Sequence, residues 1–295
     1  MVRVVAAAIA IGIAAAVGIV ARQWIAASQA IHRDRKDVTP DDRRDAERRL
    51  GAIEDVALVT SDGLTLRGWY APSKNGAAVV FVHAGSSNRT NYIVEAGALA
   101  RAGFGVLVYD SRAAGESEGD LVSWGDREQR DLAAAFDFVQ KRADVDQDRL
   151  GLAGASIGAT TVALFAAADP RPRAVLLYAT WTSLEDEIRF KFGQRLALLA
   201  VPVTWRFRSA GIDVNALRPV DRIADISPRP LLVVTGDADE DTPLPVMRQL
   251  FARANEPKTL LVLEGAGHGG YAEIGGDPYL RRVVDFFRHA LTDRR

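Results

Sequence analysis

Six uninterrupted apolar runs constrain this chain more than any other feature: Ala77 to His83, Phe104 to Asp110, Leu150 to Ala155, Ala174 to Ala179, Leu231 to Gly236 and Thr259 to Glu264. A strand with one face in water alternates apolar and polar residues, whereas a strand buried on both faces reads as a continuous run. Helical stripes lie between most of them: Leu132, Ala135, Phe136 and Val139, then Met247, Leu250, Phe251 and Ala254, then Leu280, Val283, Val284, Phe287 and Leu291. Each stripe has one apolar face to lay on a sheet. Alternating buried strand and helix predicts a doubly wound, mostly parallel α/β sheet with helices on both faces. Ahead of it, Asp55 to Thr60 and Leu64 to Tyr70 alternate around Ser61-Asp62-Gly63 and predict an opening hairpin. The last stripe is expected to start with Asp277 as N-cap and Pro278 at the first helical position.

The N-terminus is of another kind. Val4 to Val20 is an uncharged run of Ala, Ile, Val and Gly bounded by Arg3 and Arg22, with Gln23-Trp24-Ile25 able to extend it into an interface. A membrane span needs roughly 17 to 25 such residues, so residues 1–25 read as an uncleaved anchor. A cleaved signal peptide ending at Ser28-Gln29-Ala30 and a buried helix of the domain are the rival readings. Basic residues gather on the C-terminal side (Arg22, Arg33, Arg35, Lys36), which favours the cytoplasm for the domain. Residues 31–50 hold seven basic and six acidic side chains, and Thr39, Pro40, Asp41 and Asp42 form a helix start. Such balanced charge reads as a solvated stalk over residues 26–52. One large domain then covers residues 53–295, and residues 182–227, which lack a clear strand, read as a lid of short helices carrying Phe190, Phe192, Trp205 and Phe207.

Composition removes several functions. With 37 Lys and Arg against 38 Asp and Glu there is no basic surplus for nucleic acid. No cysteine is present, which excludes thiol nucleophiles and iron–sulfur clusters, and His32, His83, His268 and His289 are too scattered for a metal-ligand motif. Neither a metal nor an organic cofactor is expected.

Chemistry enters at Gly154-Ala155-Ser156-Ile157-Gly158, where an apolar run ends and a helix begins. A sharp turn there pushes a serine hydroxyl into open space, and the following helix aims its free N–H groups at the reacting oxygen. Chance gives roughly 0.09 such matches for a chain with this serine and glycine content. A serine hydroxyl needs a base, and the base needs an orienting acid. Both follow in order, as Asp237-Ala238-Asp239-Glu240-Asp241 after one run and Gly265-Ala266-Gly267-His268-Gly269-Gly270 after the next. On residues alone, Asp237, Asp239 and Asp241 all remain candidate acids.

Over residues 55–292 the sequence resembles the α/β-hydrolase superfamily. Asp110-Ser111-Arg112-Ala113-Ala114-Gly115-Glu116-Ser117-Glu118-Gly119 is similar to the turn after the family's fourth strand, and Gly236-Asp237-Ala238-Asp239 to its acid turn. The resemblance implies a triad of Ser156, Asp239 and His268, with oxyanion N–H donors at Ile157 and Gly85. The family's usual His-Gly is here His83-Ala84-Gly85. His83 is expected to be a structural loop residue, Arg112 a loop tie, and Trp181 a candidate lining of the acyl pocket. The implied activity is a serine hydrolase acting on a small acyl substrate, an ester or else a thioester or amide. A serine peptidase or acyltransferase on the same fold, and a catalytically silent binding or scaffold protein, are the alternatives. The sequence leaves oligomeric state open.

Overall fold

The computed structural model describes residues 2–193 and 197–293, so residues 194–196 of the expected lid and the two chain ends fall outside the described residues. The chain opens with helix α1 (Val2–Ile31), runs through an extended strap to α2 (Pro40–Leu50), and enters the hairpin of β1 (Glu54–Val59) and β2 (Thr65–Ala71). Alternation follows as expected: β3 (Ala78–Val82), α3 (Ile93–Arg101), β4 (Gly105–Tyr109), α4 (Glu128–Gln140), β5 (Leu150–Ala155), α5 (Ile157–Ala168) and β6 (Ala174–Tyr178). The strandless stretch forms α6 (Leu184–Gly193), α7 (Ala200–Ser209) and α8 (Pro219–Arg222). The domain closes with β7 (Leu231–Gly236), α9 (Leu244–Arg253), β8 (Lys258–Leu263) and α10 (Tyr271–Leu291).

All eight strands form one sheet in the order β1-β2-β4-β3-β5-β6-β7-β8. β1 and β2 pair antiparallel, β2 joins β4 antiparallel, and every later pairing is parallel. Helices α3 and α10 cover one face through Ala96, Leu99, Val283 and Phe287, which pack on Trp69, Val79, Phe81 and Val108. Helices α4, α5 and α9 cover the other through Leu132, Phe136, Val162, Met247 and Leu250. From β3 the chain first turns outward to β4 and then returns to place β5 on the other side of β3. Strand order therefore reverses at β3 and β5, and the loops leaving their C-terminal ends diverge to open a crevice, the usual ligand position in such sheets.

Three expectations need correction. Residues 26–52 are not a solvated stalk: α1 runs unbroken to Ile31, burying Ala27 and Ile31, and α2 buries Ala46 and Leu50 against the α3 side of the core. The balanced charges are spent locally, as in the Arg43–Glu47 and Arg49–Asp45 pairs at 3.0 and 2.7 Å, so the helix keeps a thin apolar edge that charge counting hides. The strap between the two helices is also tied down, with Asn88 Nδ2 donating to the carbonyls of Lys36 and Asp37 at 3.1 and 3.0 Å. β8 is only half-buried, because it is the sheet edge. Finally, the last helix bends at Gly276 (φ 53°, ψ −152°), so Gly276 interrupts the helix ahead of Asp277 and a short helical piece from Tyr271 precedes it.

Candidate functional site

Ser156 joins β5 to α5 with φ 52° and ψ −115°, a conformation L-residues avoid and one that sharp functional turns hold by surrounding structure. Its N–H is fixed by Tyr178 O at 2.9 Å. The flanking glycines are required by close approach. A Cβ on Gly154 would stand 2.4 Å from Gly158 O, and one on Gly158 would stand 2.4 and 2.5 Å from the carbonyl oxygens of Val82 and His83. These contacts are backbone, which has no rotamer to yield. Gly158→Ala is expected to cost on the order of 3 kcal/mol and to force β3 and α5 apart, seen as a lower Tm with loss of any serine reactivity.

Past β7, the Asp239 carboxylate is fully buried and saturated with hydrogen bonds. Oδ1 accepts from the N–H groups of Asp241 and Thr242 at 2.9 and 2.8 Å, and Oδ2 accepts from Thr242 Oγ1 at 2.7 Å. His268 Nδ1 lies 2.9 Å from Oδ2. Burial raises the carboxyl pKa, but the hydrogen bonds from His268 and Thr242 outweigh it and hold the group below the usual carboxylate range. The other two acids are occupied elsewhere. Asp237 Oδ1 accepts from Gly265 N at 2.7 Å, and Asp241 is exposed and pairs with Lys191 of α6 at 3.2 Å. Geometry thus leaves Asp239 as the partner of His268. With Nδ1–H donated to Asp239, the acceptor lone pair of the imidazole is on Nε2.

Ser156 and His268 line one cavity of about 260 Å³. Ser156 Oγ makes no hydrogen bond to His268 in this conformation, among the described residues; in ligand-free sites such bonds are often loose. Gly85 and Ile157 are brought together but stand apart from the cavity lining. The Ile157 side chain is buried, and its Cδ1 would lie 2.2 Å from a Cβ on Gly85. Ala84 borders the cavity instead, with its N–H donated to Asn91 Oδ1 at 2.9 Å. Ile157 N–H is at the first position of α5, where a helix leaves its N–H groups without intrahelical acceptors.

The remaining expectations resolve individually. His83 is buried, donates from Nδ1 to Ala84 O at 2.7 Å and accepts at Nε2 from Ser111 N at 2.9 Å; burial lowers its pKa, so it is a neutral link between the loops after β3 and β4. Arg112 is a loop tie, paired with buried Asp131 at 2.7 Å and with Asp62 at 2.9 Å. Trp181 is buried and lines a second cavity of about 270 Å³ with Phe190, Thr242, Pro243 and Val246. His32 and His289 are both exposed, each with Nδ1 on a backbone carbonyl, of Asp120 at 2.8 Å and of Asp285 at 2.6 Å.

Sequence reasoning missed one whole wall of the first cavity. Tyr92 and Glu95 come from the start of α3, and Tyr271 and Glu273 from the start of α10. The Tyr92 ring stacks on Tyr178 with centroids 4.3 Å apart, and Tyr178 on Tyr271 at 5.7 Å. Tyr279 hydroxyl lies 3.0 Å from Glu95 Oε1 and 3.2 Å from the Tyr178 hydroxyl. Burial pushes the Glu95 carboxyl up to about 7. Helix α3, rich in Ala and Gly, showed no periodic stripe, and tyrosines as far apart in the chain as Tyr92 and Tyr279 carry no local signal of assembly.

Fold and site together define an α/β hydrolase. The structure aligns with the Pyrococcus furiosus esterase Pf2001 at a TM-score of 0.71 and 21% identity, covering 88% of this chain and 97% of that one. The prolyl oligopeptidase family model matches residues 91–294, and the chain belongs to that family. It is also similar to the uncharacterized protein Rv2307c of Mycobacterium tuberculosis (strain ATCC 25618 / H37Rv), at 30% identity over 83% of this chain and 81% of the relative. The uncharacterized protein YfhR of Escherichia coli (strain K12) is 29% identical over 82% of each chain.

Proposed function

We propose that this chain is a membrane-anchored serine hydrolase that cleaves a carboxylic ester, or a thioester or amide, through an acyl-enzyme. Ser156 Oγ attacks the carbonyl carbon while His268 Nε2 takes its proton and passes it to the leaving group. Water then attacks the acyl-enzyme with His268 again as base, and Asp239 holds the imidazole tautomer throughout. The Ile157 and Gly85 N–H groups are the proposed oxyanion donors. The observation that carries this reading is the strained Ser156 turn opening on the same cavity as a carboxylate-held His268.

The anchor rests on α1, whose Arg3–Ile31 segment is long and apolar enough to cross a bilayer. A cleaved leader is disfavoured by what the end of α1 contributes to the domain: Ala27 and Ile31 are buried, and Trp124 Nε1 donates to Ala30 O at 3.0 Å. Lid and anchor also meet, through Trp24 and Trp205 at 5.3 Å between ring centroids and Arg206 Nε to Ser28 Oγ at 2.9 Å. The basic residues after the span favour a cytoplasmic domain.

The test is intact-mass analysis of the full chain treated with a fluorophosphonate. One adduct is expected on the wild type, none on Ser156→Ala, and labelling at least 100-fold slower on His268→Ala. No adduct on folded wild-type protein overturns the reading. Family membership favours one second reading, a peptidase, and turnover of matched ester and anilide substrates separates the two. Partition of the acyl group to added alcohols separates hydrolase from acyltransferase.

A further inference from the structure

We infer that the exposed side of the lid helix α7 is a second membrane contact, seated in the phospholipid headgroup layer beside α1. The inference goes beyond the hydrolase reading and rests on its anchor.

Helix α7 is apolar on two opposite sides. Ala200, Val203 and Phe207 are buried in the cluster that also takes in Ala27 and Ile31 of α1. On the other side Leu198, in the turn Ala197–Leu199 just ahead of the helix, is 69% exposed, Val201 57% and Trp205 66%. Their spacing of three and four residues puts them on one stripe. A single exposed apolar side chain means little, whereas three on one stripe mark a surface that meets something other than water. The stripe also borders a groove of about 580 Å³ between α6 and α7, which Arg189, Thr204 and Arg208 line with it.

What covers the stripe follows from its place on α1. Trp205 meets Trp24 at 5.3 Å between ring centroids. Trp24 stands four residues past Val20, the end of the uncharged run, which is about 6 Å at the helical rise. With Val4 to Val20 in the hydrocarbon, that is headgroup level, where tryptophan is favoured. The turn Ala197–Leu199 touches α1 as well, so the stripe runs alongside that helix rather than away from it. Charge fits the same layer. Arg206 and Arg208 flank Trp205, and among the described residues neither meets a carboxylate: Arg206 reaches Ser28 Oγ at 2.9 Å and His32 Nε2 at 3.3 Å, and Arg208 donates to Asn215 Oδ1 at 3.2 Å. Arg189 and Arg218 of the same lid do pair, with Glu185 and Asp221. Guanidinium groups with donors left over, set beside exposed Leu, Val and Trp, suit a layer of phosphates over acyl chains.

Depth-dependent quenching on the full chain in phosphatidylcholine vesicles tests this. The sequence holds no cysteine, so one introduced cysteine carries a fluorophore at one known place. Val201→Cys and Leu198→Cys report the stripe, Ile11→Cys the middle of α1, and Gln147→Cys the end of the sheet away from Ser156; all four positions are exposed. Lipid carrying a nitroxide near the headgroup is expected to quench both stripe labels at least twofold and to leave the label at position 147 unchanged, while a nitroxide at the acyl-chain end quenches position 11 most. Quenching at position 11 with none at either stripe position overturns the inference and leaves the anchor standing. So does a stripe label shielded from aqueous iodide yet untouched by lipid nitroxide, which assigns the stripe to a second copy of the chain. No lipid quenching at position 11 overturns anchor and inference together.

Discussion

Asp239→Asn is expected to lower kcat for any ester the protein hydrolyses by about 10⁴-fold, with little change in KM or Tm. The reason lies in how the carboxylate is filled. Oδ1 is committed to the backbone N–H groups of Asp241 and Thr242, so an amide in its place keeps its oxygen there and turns its NH2 toward His268. That NH2 can only donate. His268 Nδ1 must then become the acceptor, the proton moves to Nε2, and the nitrogen facing the cavity can no longer take the Ser156 proton. Asp241→Asn is the control, since Asp241 is exposed and engages Lys191; a loss of under tenfold is expected from it. If the two variants fell equally, the assignment of the acid would be wrong.

The largest effect on stability is expected from Arg112→Met. Arg112 is 4% exposed and reaches Asp131, which is fully buried, with three nitrogen–oxygen contacts of 2.7 to 3.2 Å besides the pair with Asp62. Removing the guanidinium takes away the countercharge of Asp131 and leaves it the backbone N–H of residue 112, at 2.8 Å, as its hydrogen-bond donor among the described residues. Breaking a buried pair in this way costs about 3 to 5 kcal/mol, and in a domain of this size that lowers Tm on the order of 10 °C. Arg48→Ala removes an exposed pair with Asp45 at 2.9 Å and is expected to change Tm by under 2 °C. Thermal unfolding of both variants side by side checks the contrast. Equal shifts would mean that the buried network contributes no more than a surface pair.

The legible part of this protein is the part written in local pattern. Each of the six apolar runs became a strand of the parallel part of the sheet: five, β3 to β7, are covered on both faces and leave little place for a polar side chain, and the sixth, β8, is the half-buried edge. Ser156 and His268 were legible for a similar reason: a sharp turn at a strand end demands small neighbours, and Gly154, Gly158 and the glycines around His268 announce it. The choice of Asp239 over Asp237 and Asp241 was not a local matter, since three acids within five residues differ only in which backbone N–H groups and which imidazole they meet. The Tyr92, Glu95, Tyr178, Tyr271 and Tyr279 assembly was illegible, because three elements, α3, β6 and α10, must fold before these side chains become neighbours. The stalk failed for another reason. Two apolar residues, Ala46 and Leu50, dock a helix whose composition is otherwise that of a solvated one.

The unbroken passage of α1 into the domain has a mechanical meaning. A catalytic unit on a flexible leash tumbles, and its opening sweeps every height and direction the leash permits. A unit fused to a rigid helix has no such freedom: each residue between bilayer and domain sets 1.5 Å of elevation and 100° of azimuth. With Trp24, Ala27, Ser28 and Ile31 all engaged by the lid and its surroundings, the helical phase of α1 is clocked to the hydrolase core. If α1 spans a bilayer as proposed, the opening would keep a constant bearing to the lipid surface, set by the helix rather than by the diffusion of a tether.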